Sequence, residues 1–105
     1  MRVGFLLAGV LAAGVPGQLR ILDAVYGNPE RGRMCDATQA VAQQCDERAA
    51  CVLSVSNGIC GDPDFQMAKR LFVTFKCGPA PAQTLVVTEA SLVRLACEAA
   101  ARPVS

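Results

Sequence analysis

The chain reads as mostly β with one short helix, an α+β arrangement in a small, disulfide-stapled, β-sandwich-like domain. Three observations carry this reading. Several short segments alternate apolar and polar residues with the period of a strand. One stretch, after Asp36, repeats at helical spacing. Six cysteines in 105 residues are a dense and even count, which in an exported chain reads as a disulfide framework.

Residues 1–17 read as a secretory signal peptide. Arg2 supplies the positive start, residues 3–15 form an uninterrupted apolar run, and small residues follow. A bilayer-spanning helix needs about 20 apolar residues, so this run is too short to be one. A buried N-terminal strand or helix is the competing reading, and Gly4, Gly9, Gly14 and Pro16 suit neither. Cleavage after Gly17 would leave 18–105 as the mature domain, in a secreted or extracytoplasmic setting.

In the mature part, 19–26 is a strand candidate, with Leu19, Ile21 and Val25 on one face and Leu22, Ala24 and Tyr26 on the other. Gly, Asn and Pro make 27–33 a loop. A helix of about three turns is expected from Asp36, with Gln39 completing a capping box and Ala37, Ala40, Val41 and Gln44 sharing a face. Residues 46–50 form a polar turn. Strand alternation returns over 51–56, where Cys51, Leu53 and Val55 share a side, and over 71–77, where Leu71, Val73, Phe75 and Cys77 point inward. The stretch 57–67 between them is irregular, and 78–81 is a turn. Two more strands, 84–88 and 92–97, flank Glu89, Ala90 and Ser91, and 98–105 is a frayed end.

Charge excludes some functions. Without Arg2 the formal charge of +1 becomes zero, which gives no electrostatic reason to bind nucleic acid or anionic lipid. No histidine is present, so neither a Ser-His-Asp nor a Cys-His arrangement can form. Zinc is disfavoured too, because the cysteines at 35, 45, 51, 60, 77 and 97 include no C-x-x-C pair. Six cysteines in disulfides allow fifteen pairings, and spacing does not choose among them.

The order of residues from Ile21 to Cys77 resembles the rhamnose/galactose-binding lectin domain of the sea-urchin-egg-lectin type. That family reads A-x-Y-G-R, paired cysteines, S-N-x-x-F-G-D-P-C, then K-Y-L-x-V-x-Y-x-C. Here the matching runs are Ala24-Val25-Tyr26-Gly27-Asn28, then Ser56-Asn57-Gly58-Ile59-Cys60-Gly61-Asp62-Pro63, then Lys69-Arg70-Leu71-Phe72-Val73-Thr74-Phe75-Lys76-Cys77. The family's usual first strand, C-E-G-x-x-x-x-L-x-C, has no room before Ala24. Thr88-Glu89-Ala90-Ser91-Leu92-Val93-Arg94-Leu95-Ala96-Cys97 resembles it at the other end, which implies circular permutation. An unrelated hairpin or the start of a second repeat would give the same segment.

The resemblance implies bridges Cys77–Cys97 and Cys45–Cys51. It leaves Cys35 and Cys60 to pair with each other, because the family's remaining cysteines are Thr88 and Asp64 here. It also implies a sugar site at Tyr26, Asn57, Asp62, Lys69 and Glu89. Carboxylates accept from adjacent hydroxyls, an ammonium donates, and an aromatic face covers C–H groups. Each residue has a plainer role as well: Tyr26 as core, Asn57 and Asp62 as turn formers, Lys69 as a solvated cation, Glu89 as a hairpin-turn residue. Three departures bear on the site. The family's arginine is Asn28, its glycine after D-P-C is Gln66, and the D-P-C disulfide that would hold the loop is lost at Asp64.

The function implied is a secreted, cation-independent carbohydrate-binding module for rhamnose- or galactose-type sugars, with no cofactor and no metal. Its partner would be such a sugar or a cell-surface glycoprotein, with no membrane insertion. The alternative is a protein–protein interaction module of the same fold with a decayed pocket. An enzyme is not expected: a carboxylate pair for glycoside hydrolysis would have to come from Asp62 or Asp64 and Glu89, with nothing to mark a raised pKa. No exposed reactive loop marks an inhibitor.

Overall fold

A computed structural model of the chain describes residues 16–97. Residues 1–15 of the expected signal segment and the expected frayed end at 98–105 lie outside the described residues. The order of elements is β1 (Leu19–Asn28), a 3₁₀ turn (Pro29–Arg31), β2 (Arg33–Asp36), α1 (Thr38–Cys45), β3 (Ala50–Ser54), β4 (Arg70–Cys77), β5 (Gln83–Thr88) and β6 (Leu92–Ala96). The strands form two antiparallel sheets, one ordered β2-β1-β4-β5 and the other β3-β6. The fold is therefore mostly β with one short helix. No helix among the described residues is long and apolar enough to cross a membrane.

β1 does not keep the strict alternation expected of 19–26. Its register against β4 shifts between Ile21 and Asp23, and Leu22 is the extra residue of the bulge, 44% exposed. One inserted residue reverses the alternation. Leu19 and Ile21 before the bulge, and Ala24 and Tyr26 after it, consequently face the same core. The Ile21 N–H, freed from regular pairing, donates to Asp46 Oδ1 at 2.8 Å.

The expected loop at 27–33 is instead the tight end of a hairpin. β1 runs on to Asn28, and Arg33–Asp36 pairs back onto it. The 3₁₀ turn closes through Gly32 N–H to Pro29 O, with Gly32 in the left-handed region. No alternation marks β2, because its pairing comes from β1 and not from an apolar face of its own.

The helix starts at Thr38 and runs eight residues, shorter than expected. Asp36 is held extended opposite Val25, so it cannot serve as N-cap. Ala37 takes that position without a side-chain bond, and no capping box forms. Asp36 Oδ1 instead accepts from Thr38 N, while Ala24 exchanges bonds with Ala37 and Thr38. The buried face is Ala37, Val41 and Cys45 at four-residue spacing, and Gln44 lies outside it.

The core joins the inner residues of β1 to Leu71, Val73 and Phe75 of β4, Leu53 and Val55 from the β3 segment, Leu95 of β6, and the helix. Fully burying a leucine such as Leu53, Leu71 or Leu95 contributes about 1.5–3 kcal/mol. Disulfides tie the layers: Cys45–Cys51 joins α1 to β3, Cys77–Cys97 joins the two sheets, and Cys35–Cys60 joins β2 to the loop 57–67. Each such bridge is typically worth about 2–4 kcal/mol.

β5 and β6 do not form a hairpin with each other. β5 stays with β4, while β6 pairs with β3 in the other sheet, so Glu89, Ala90 and Ser91 carry the chain between layers. Val55 clamps this crossing through Val55 N to Ser91 O and Ala90 N to Val55 O.

Gly27 has φ +138°, and a Cβ there would run into the Arg33 carbonyl oxygen and stand 2.7 Å from Met34 Cα. Both obstacles are backbone of β2. Gly27→Ala should therefore destabilise the fold by at least ~2 kcal/mol, lowering Tm by at least ~10 °C. Calorimetric unfolding of both proteins checks this, and an unchanged Tm would contradict the close β1–β2 approach.

Candidate functional site

The site grows from the start of β4. Lys69, just before Arg70, has a side chain only 3% exposed. Its ammonium meets Met67 O at 2.6 Å, Asp62 Oδ1 at 2.9 Å, Asp64 O at 3.0 Å and Glu89 Oε1 at 3.5 Å. Three N–H protons facing four oxygens are fully engaged by the protein. Burial alone would lower the Lys69 pKa; the hydrogen bond and charge of Asp62, then those of Glu89, outweigh it and raise it above the ordinary lysine value.

Glu89 reaches the same point from the sheet crossing. Its Oε1 accepts from Lys69 N–H at 2.9 Å, and its own N–H donates to Lys69 O at 2.8 Å. Tyr26, on β1, is fully buried and donates its hydroxyl to Asn57 Oδ1 at 2.7 Å. The Glu89 carboxylate lies close enough to that hydroxyl to act on its proton. Burial, then the charge of Glu89 and its hydrogen bond, then the charge of Asp62, push the Tyr26 hydroxyl up to about 12.

Tyr26, Asn57, Asp62, Lys69 and Glu89 thus form one contact network drawn from β1, the loop 57–67, the start of β4 and the sheet crossing. They divide into two groups. Tyr26 and Lys69 are buried behind the surface, whereas Asn57 is exposed and the Asp62 and Glu89 side chains keep 29% and 27% of their surface open. The open groups are mainly acceptors, which suits a ligand rich in hydroxyls.

A second network supports the loop, built on Asn28 and Asp64, two of the departures from the family pattern. Asp64 is buried and takes Arg31 Nε at 2.7 Å and Asn28 Nδ2 at 2.9 Å. Asn28 Nδ2 also donates to Ala68 O at 2.9 Å, and Arg70 bridges Asn28 to Glu30. The hydrogen bond from Arg31, then that from Asn28, hold the Asp64 carboxyl below the usual carboxylate range against the opposing effect of burial. The loss of a disulfide at Asp64 therefore does not free the loop. Arg31 was hidden in an unstructured-looking stretch; the signal that could have exposed the network is that Asn28 and Asp64 depart from the family pattern together.

Asp64 to Met67 is a turn closed by Met67 N–H to Asp64 O at 3.1 Å, with Gln66 at φ +63°. The family's glycine at this position is thereby explained, since a side chain in the left-handed region is disfavoured.

Comparison with known proteins gives one informative relative. The chain is 32% identical over 73 residues to a D-galactoside-specific lectin of Heliocidaris crassispina, covering 54% of this chain and 69% of that protein. The chain belongs to that lectin's family. No model of a protein family matches it, and no solved structure does.

Two outcomes are expected. Tyr26 is the single tyrosine of the chain, so tyrosinate absorbance reports it alone. Its midpoint should lie near 12, and Glu89→Gln should bring it down toward the ordinary 10.0. Because the folded value is raised, this group's stabilisation is complete below the unfolded value of about 10 and is lost as pH climbs through about 12. A wild-type midpoint near 10.0 would contradict the burial of Tyr26 beside Glu89, and a midpoint unmoved by Glu89→Gln would contradict the influence of Glu89. Gln66→Gly should stabilise the protein by about 0.5–1 kcal/mol, read as a higher denaturant midpoint.

Proposed function

We propose that the protein is a secreted, cation-independent carbohydrate-binding module for a galactose- or rhamnose-type sugar, and not an enzyme. The observation that carries this is the convergence of Glu89, Asp62 and Asn57 on one surface, held from behind by Tyr26 and Lys69. Membership of a family that includes a D-galactoside-specific lectin supports the same reading. In this reading Glu89 and Asp62 accept from adjacent sugar hydroxyls and Asn57 supplies a further polar contact. Tyr26 and Lys69 are positioning residues: the ammonium neutralises two carboxylates that would otherwise repel each other, and fixes their aim. Such preorganisation lowers the cost of binding.

Residues 1–17 act in this proposal as the signal peptide that delivers the chain to an oxidising compartment, where its three disulfides form. β6 takes the part of the family's first strand, entering from the C-terminal end as in a circular permutation. This accounts for Glu89 standing at the start of that segment and for Cys97 bonding to Cys77.

One observation favours a second reading. The Lys69 ammonium and the Tyr26 hydroxyl, which the family resemblance assigns to the sugar, are occupied by protein groups and buried. The same fold with a closed pocket would then serve as a protein–protein interaction module.

Calorimetric titration of the oxidised protein with D-galactose and L-rhamnose, with chelator present, decides between them. Saturable binding is expected, unaffected by chelator and lost in Glu89→Gln. Retention of the fold in that variant is checked by its thermal unfolding. No heat from folded wild-type protein with either sugar would overturn the lectin reading in favour of a protein partner.

A further inference from the structure

β5 lies at the edge of the four-stranded sheet, with β4 on one side and, among the described residues, no strand on the other. Monomeric proteins commonly protect such an edge with a charge, a proline or a bulge. The opposite edge of the same sheet does so: β2 is four residues long and carries Arg33 and Asp36. β5 reads Gln-Thr-Leu-Val-Val-Thr, with none of these devices and an unbroken register against β4.

The apolar side chains of β5 are also incompletely covered on both faces. Val86 points outward and is 55% exposed. It continues a cross-strand row from Val25 to Phe72, the latter lying under the Arg70 guanidinium at 5.0 Å. Leu85 pairs with buried Val73 on the core-facing side, yet remains 37% exposed.

We propose that β5 is a self-association edge, and that its occupant is β5 of a second copy, paired antiparallel about a two-fold axis centred on Val86. The strand is self-complementary in this register. In antiparallel pairing, directly opposed residues share a face, so the axis places Val86 against Val86, Leu85 against Val87 and Thr84 against Thr88. No like charges meet, because Glu89 falls opposite Gln83 of the second copy. The core-facing Leu85 gains cover, and the outward row doubles to run through both copies. The result is a continuous eight-stranded sheet with β2 of each copy at its two edges. The contact is a single short strand from each copy, so the dimer is reversible and concentration-dependent.

The arrangement also has a consequence that rests on the sugar-binding reading. Glu89 of one copy and Glu89 of the other stand six residues apart along the paired strands, about 20 Å at ~3.4 Å per residue. Two weak sites at that spacing on one rigid sheet would act together on a branched or repeating glycan.

Sedimentation velocity of the oxidised protein from about 1 μM to about 1 mM tests the edge directly, because it reads mass and not sugar binding. The expected result is a shift from the mass of one mature chain, residues 18–105, to twice that mass. Val86→Lys should abolish the shift, whereas Val52→Lys, exposed on the smaller sheet, should leave it intact. Matching thermal unfolding confirms that both variants fold. A second readout fixes the register: Val86→Cys should form a symmetric intermolecular disulfide on oxidation, and Thr84→Cys should not. A wild-type protein that stays monomeric throughout, a dimer that survives Val86→Lys, or a mass that climbs beyond two chains would each overturn the proposal. Failure here leaves the titration with galactose and rhamnose untouched, so the two readings fail separately.

Discussion

A buried ammonium organises this domain around itself. An unpaired charge taken out of water is costly, and the cost is met only when every proton has an acceptor. Lys69 satisfies that demand by drawing oxygens from two places: Asp62, Asp64 and Met67 on the adjoining loop, and Glu89 at the crossing between sheets. The loop between β3 and β4 buries few apolar side chains beyond Val55, Ile59 and Cys60. Its carbonyls and carboxylate are bound to the cation. The crossing is held in turn by the two bonds Glu89 makes with the Lys69 backbone.

A second polar cluster does for the outer part of the same loop what a covalent bond does elsewhere in the family. Asp64 stands where the family has a cysteine, and Asn28 where it has an arginine, yet the two side chains meet, with Arg31 completing the pair. The Cys35–Cys60 bridge holds the loop to β2 a few residues away. Both ends of the candidate site are thereby fixed to the hairpin of β1 and β2. The surface carboxylates of Asp62 and Glu89 project from a frame whose supports are a disulfide, the buried Asp64 carboxylate paired with half-exposed Arg31, and a buried lysine.

Much of this was legible in the chain, and the exceptions have particular causes. The alternation of 71–77 reports β4 faithfully, because a strand with one face in the core imprints that period directly. The same rule misplaces half of β1. Leu22 looks like an inward residue until pairing with β4 forces it out as a bulge, and nothing local marks that shift. The capping box at Asp36 fails for a similar reason: its carboxylate and spacing are right, but the strand pairing of β2 holds its backbone extended. The five candidate site residues could be named through a family resemblance. What could not be read was that two of them, Tyr26 and Lys69, are buried against protein partners while Asn57, Asp62 and Glu89 stay open.

By itself, then, the sequence determined the class: strand periods, one helical repeat and an even set of cysteines leave few alternatives to a small, bridged, mostly β domain. These are local properties, written within a few residues of one another. Only the tertiary structure decided which face of β1 is inside, which sheet β6 joins, how Asp64 replaces a lost bridge, and which polar groups remain open to a ligand. Each of those depends on contacts between residues far apart in the chain, from the Lys69–Glu89 bond across 20 positions to the pairing of Leu19 with Cys77. A side chain's burial and the partners of its charge are set by what the rest of the chain places against it, and no short stretch of sequence carries that information.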